Sequence, residues 1–172
     1  HSYFNLAGSG TIDDHLIRIT GSAYTPVDET LIPTGAISGV DGTIYDLREE
    51  KKIGDLFAEA KKGELIDGGF DHNFVLDTDG DLRRSAASLA HPGSGRRLDV
   101  FTTEPGLQFY TANHLDGMMT GQAGQPFCRH GAVCLEAQHF PDSPNQSAFP
   151  AVTLEPGNVY KQTTKYRFSV SA

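Results

Sequence analysis

The chain has 172 residues, 38% of them hydrophobic and 21% charged, a composition that builds a buried core and excludes a disordered or membrane-embedded protein. Fourteen Lys and Arg stand against 22 Asp and Glu, a net charge of -8, so neither phosphate backbones nor anionic lipid surfaces attract it: nucleic acid and membranes are excluded as partners. Nineteen glycines and nine prolines spread along the chain argue for many turns and against a helical bundle.

In chain order, HLIRITGSAYTPV (15–27) is the first run of β-branched and aliphatic residues between turn signals, and reads as strand. EEKKIGDLFAEAKKG (49–63) changes period: Ile53, Leu56, Phe57 and Ala60 fall on one helical face, and the segment predicts a short surface helix ending on Gly63. HNFVLDTDGDLRRSAASLAH (72–91) reads as two strands joined by a hairpin turn at Asp79 and Gly80. Its DTDGD is no calcium loop, since the glycine is fourth rather than sixth and no Glu closes a twelve-residue loop. RRLDVFTTEPGLQFYTAN (96–113), GAVCLEAQHF (131–140) and VYKQTTKYRFSVSA (159–172) complete the set, with Leu98, Val100, Thr102 and Tyr166, Phe168, Val170 alternating as in half-buried strands. The expected fold class is all-β, one antiparallel β-sandwich, with Leu16, Ile19, Phe74, Leu76, Val100, Phe109, Leu135 and Phe168 in its core.

Cys128 and Cys134 flank His130, but the spacing lacks a fourth ligand for zinc, and a domain of this size needs no disulfide staple; reduced thiols and no metal are expected. GSG at 8–10 and 93–95 lacks the strand and helix context of a phosphate loop. What stands out is polar chemistry inside apolar strands: His1, Asp71 with His72, Gln108 and Glu136. Glu136 follows the apolar run AVCL, where a carboxylate is costly without a partner or a task. Taken singly, each has an ordinary explanation: a solvent-facing strand residue for Glu136, a turn residue for Asp71, a packing imidazole for His72.

HSYFNLAG, YTPVDETLIPTG, GGFDHNFVL, TTEPGLQFYTAN with HLDG, CLEAQHFPDSPN and LEPGNVYKQTTKYRF, in this order, resemble the aldose 1-epimerase (galactose mutarotase) family across essentially the whole chain. The family's chain is roughly twice as long, and these motifs are those of its C-terminal half. The resemblance therefore implies a galactose mutarotase-like supersandwich of which residues 1–172 are the C-terminal portion, with the N-terminal half of the same domain as the partner it lacks. It implies an isomerase with a free hexose such as galactose or glucose as substrate and no cofactor; the expected compartment is the cytoplasm, and with His1 at a terminus that the preceding strand would otherwise fix, the isolated segment is expected to be impaired. Residue by residue, it implies His1 as the acid at the ring oxygen, Glu136 as the base on the anomeric hydroxyl, and Asp71 and Gln108 as ligands to the other hydroxyls. Ala112 and Ala137 depart from the family's usual glycine and threonine, at positions without assigned chemistry. Opening a cyclic hemiacetal needs such a pair, one group taking a proton as the other gives one. Asp71 only accepts hydrogen bonds and Gln108 both donates and accepts, which suits orientation.

The competing expectation is a sugar-binding β-sandwich without turnover, which has no use for both His1 and Glu136, and whose usual Trp platforms this chain lacks. A glycosidase would use Asp71 and Glu136 as its two carboxylates. An epimerase of phosphorylated hexoses would need an arginine cluster, whereas Arg83, Arg84, Arg96 and Arg97 lie away from the motifs.

Overall fold

A computed structural model describes residues 1–65 and 67–171. Its strands are β1 (Leu16–Ile19), β2 (Ala23–Thr25), β3 (Ser38–Gly39), β4 (Lys51–Lys52), β5 (Asp71–Val75), β6 (Ala87–His91), β7 (Arg96–Thr102), β8 (Gly106–Tyr110), β9 (Cys134–Gln138) and β10 (Thr164–Val170). One helix, α1 (Ile53–Glu59), and a 3-10 turn at Ser143–Asn145 interrupt them. The strands form two antiparallel five-stranded sheets, ordered β10-β7-β6-β1-β4 and β3-β2-β5-β8-β9. The all-β antiparallel expectation holds. Among the described residues no helix is long and apolar enough to cross a membrane.

Alternation gives each sheet one inward face. In the first sheet the register sets Ile17, Leu89, Leu98 and Phe168 in one row, and Ile19, Ala87, Val100 and Tyr166 in the next. In the second, Tyr24, Phe74, Leu107 and Ala137 form one row and His72, Phe109 and Leu135 another. Ile17, Ile19, Leu89, Leu98, Val100, Phe74, Leu107, Phe109 and Leu135 are all buried in a single apolar cluster shared by both sheets. Six of the eight expected core residues lie in it.

The other two are corrections. Leu16 is only half-buried, because β1 turns Ile17 and Ile19 inward and so puts Leu16 on the opposite face. Phe168 does point to the inward side, yet it is 60% exposed. β10 is the outermost strand of its sheet, and the neighbours of its inward face are few: Phe4 touches Tyr166 and Phe168 with ring centres 5.5 and 5.9 Å away.

Two local expectations also change. The segment around Asp79 and Gly80 does turn, with φ of 51° and 72°, but it is no hairpin: β5 and β6 lie in different sheets, and residues 76–86 carry the chain from one to the other. The helix ends at Glu59 with Ala60 as its cap, earlier than Gly63, which takes its positive φ in the following turn. Both cysteines are unbridged, Cys128 exposed and Cys134 buried.

Candidate active site

The outer face of the second sheet is built from the residues that the alternation turns away from the core. On it β5 places Asp71 and Asn73, β8 places Gln108 and Tyr110, and β9 places Cys134, Glu136 and Gln138. The register puts Gln108 directly between Asn73 and Glu136, and Tyr110 between Asp71 and Cys134. Asp71, Gln108 and Glu136 thus share one face although 65 positions separate the first from the last.

These side chains form a chain of hydrogen bonds. The Gln108 Nε2 donates to Asp71 Oδ1 at 2.8 Å, and Gln138 Nε2 donates to Gln108 Oε1 at 3.1 Å. With its carbonyl taken by Gln138 and one N–H by Asp71, Gln108 has one N–H left for a ligand, while Asp71 offers only acceptors. That is the complement of a hydroxyl pair.

His1 reaches this face along an N-terminal segment tied to the start of β9. Phe4 and Val133 exchange backbone bonds of 2.8 and 2.9 Å. The imidazole Nε2 then lies 3.5 Å from Glu136 Oε1, stacked 5.9 Å from Tyr3 and edge-on at 6.1 Å to Tyr110. Burial raises the Glu136 carboxyl above the usual carboxylate range, with the Asp71 charge adding to the rise, while the Cys134 thiol pulls it back. Its Oε1 is buried without a hydrogen-bond partner, an unsatisfied acceptor that faces the imidazole. The Cys134 thiol is itself pushed up to about 12, chiefly by burial, and stays protonated.

His72 belongs elsewhere. It is buried on the inward face, 3.2 Å from the Tyr45 hydroxyl, and burial pushes it down to about 4, so the packing explanation is the right one. The arginines weighed for a phosphate are engaged away from this face: Arg83 with Asp81, Arg84 with Asp79, Arg97 with Glu50 and Asp99, and Arg96 with the Leu6 carbonyl. Sequence reasoning passed over Asn73, Tyr110 and Gln138, although the period-two rule finds all three: each lies two residues beyond one that it chose.

The outer face of the second sheet thus brings a carboxylate and an imidazole together beside a hydrogen-bonded carboxylate–amide pair. The chain belongs to the aldose 1-epimerase family, whose model matches residues 1–167. It is 47% identical to the galactose mutarotase of Rattus norvegicus over 99% of this chain and 49% of that protein. It is 35% identical to the aldose 1-epimerase of Escherichia coli K12 over 98% and 49%. A solved structure of a GalM/aldose epimerase homologue from C. elegans superimposes with a TM-score of 0.83 at 28% identity, over 100% of this chain and 50% of that one. The chain spans about half the length of the curated relatives it matches.

Proposed function

We propose that this chain carries the acid–base pair of an aldose 1-epimerase, which interconverts the α and β anomers of free aldohexoses such as galactose and glucose. The observation that carries the reading is the approach of His1 Nε2 to Glu136 Oε1 at 3.5 Å on the face that also holds Asp71 and Gln108. Glu136 takes the proton of the anomeric hydroxyl while His1 gives one to the ring oxygen. The bond between the anomeric carbon and the ring oxygen breaks, leaving the open aldehyde. Rotation about its bond to the second carbon presents the other carbonyl face, and closure returns both protons. Each group must come within about 3 Å of its oxygen and contributes roughly 10² to 10⁴ in rate. Asp71 and Gln108 hold the remaining hydroxyls, so the pair acts on one fixed ring. The site residues supply every proton transfer themselves, without a cofactor.

The partner is the rest of a family-length polypeptide. β9 and β10, the outermost strands of the two sheets, lie on the same side, joined where the Tyr166 hydroxyl donates to the Leu135 carbonyl at 2.8 Å. Tyr166, Phe168 and Val170 turn an apolar row into that side, 38%, 60% and 71% exposed, and an open edge of this kind is normally paired or covered. Free thiols at Cys128 and Cys134 suit the reducing cytoplasm.

The test is polarimetry of freshly dissolved α-galactose. Residues 1–172 alone are expected to give little acceleration, and the protein at the full length of its relatives a rapid approach to equilibrium. A full-length protein that binds galactose and leaves its mutarotation at the spontaneous rate overturns the reading.

A further inference from the structure

The segment that carries His1 belongs to neither sheet, so something other than a ladder must fix it. Beyond the Phe4–Val133 pair, its hold concentrates on Asn5 and Leu6. The Asn5 Nδ2 donates to the carbonyls of Gly10 and Gly131 at 3.0 and 2.9 Å. The Leu6 carbonyl accepts from Ser94 Oγ at 3.0 Å and Arg96 Nη1 at 2.9 Å, and the Leu6 N–H donates to His15 Nε2 at 2.9 Å. We propose that His15 is a positioning residue for the epimerase reaction, its Nε2 locking the Leu6 amide and through it the reach of the His1 imidazole over Glu136. This rests on the reading of His1 and Glu136 as the acid–base pair.

Three observations support it. A backbone N–H only donates, so the His15 Nε2 must be unprotonated, whatever else the ring does. The side chain is completely buried, its ring centre 4.9 Å from that of His91, and burial holds it down to about 4, so it remains a neutral acceptor at any pH where a sugar enzyme works. Its own backbone is pinned from both sides, its N–H donating to the Ile12 carbonyl and its carbonyl accepting from the Ile53 N–H at the start of α1, each at 2.9 Å. An apolar residue would fill the same space but leave the Leu6 amide without a partner. The anchor lies five residues from His1, and a displacement of about 1 Å at a reacting group costs up to roughly 10²-fold in rate.

The experiment compares His15→Asn, too short to reach Leu6, with His15→Gln, whose carbonyl oxygen reaches about as far as Nε2, both in the protein at its natural length. Polarimetry gives kcat and KM for galactose, and hydrogen exchange reads the Leu6 amide. For His15→Asn the expected result is a kcat lower by about tenfold or more, a KM within about twofold, and faster exchange at Leu6. His15→Gln should recover most of the rate and the protection. An active unsubstituted enzyme with His15→Asn at full kcat overturns the proposal, as does a His15→Gln protein as slow as His15→Asn, which would show that ring volume alone matters. If His15→Asn does not fold, His15→Leu, which fills the space without an acceptor for the Leu6 N–H, serves instead: a lower kcat at constant KM with faster exchange at Leu6 supports the anchor, and an unchanged kcat overturns it. An unsubstituted protein without activity overturns the functional reading itself, and His15's role falls with it.

Discussion

Replacing Glu136 with Gln isolates basicity from shape. The amide keeps the side-chain length and an acceptor oxygen at the position where Oε1 faces His1 at 3.5 Å, so the hydrogen bond proposed from the anomeric hydroxyl keeps its acceptor. It cannot remove the proton. Loss of a placed general base costs roughly 10² to 10⁴, so on the proposed roles kcat for galactose should fall by at least about 10², with KM within about threefold since the proposed ring ligands Asp71 and Gln108 are untouched. Stability gives an internal control. Burial already raises the Glu136 carboxyl, and Oε1 has no hydrogen-bond partner, so removing the charge should leave the unfolding midpoint unchanged or higher. The assay is the initial rate of optical rotation change of fresh α-galactose, with thermal unfolding on the same sample. A folded Glu136→Gln protein within about threefold of the parent kcat would refute the assignment, since an amide has no proton affinity with which to do the work.

Asp71→Ala removes the acceptor that Gln108 faces at 2.8 Å and should raise the galactose KM by about tenfold, the weight of one charge-assisted hydrogen bond; unchanged KM and kcat would remove Asp71 from the site. His15 and His72 are both buried and held down to about 4, so the unfolded chain binds their protons more readily: their contribution is complete above about pH 6.5 and drains away as pH falls toward 4, by up to about 3 kcal/mol each, measurable as denaturant midpoints across that window. Phe109→Ala, at a fully buried position between Phe70 and Phe74, should cost about 3–5 kcal/mol in the same experiment, and a loss below about 1 kcal/mol would mean that the two sheets do not share this core.

Period-two alternation made the strands legible and, carried two residues further, would have named the whole polar face. It also identified Ile19, Phe74 and Phe109 as core, because those positions are enclosed by the two sheets of this chain alone. It misplaced Phe168 because alternation reports the side a residue faces and says nothing of what lies opposite it. Leu16 failed for a narrower reason: in LIRI the apolar residues at 16, 17 and 19 cannot all share one face, and the run contains no signal for which of the first two turns in. The Asp79–Gly80 turn was legible in its backbone chemistry but its partners were not, since a turn sequence fixes local φ and leaves open whether the next strand returns to the same sheet. His1 and Glu136 stand out singly as polar groups in apolar strands, but their pairing is readable only through family motifs, because the spacing between the first residue and position 136 carries no periodic signal.

The way the chain alternates between layers governs how it acquires its structure. β1 and β2, β5 and β6, β7 and β8, and β9 and β10 each straddle the two sheets, so along much of the chain successive strands fall in opposite layers. Neither layer is then a local unit that forms first and waits: pairing β1 with β6 closes a loop of about seventy residues in which β2, β3 and β5 of the other layer are already threaded. Such an architecture collects its entropy cost before its contacts, and chains dominated by non-local pairings of this kind fold more slowly than those built from local ones.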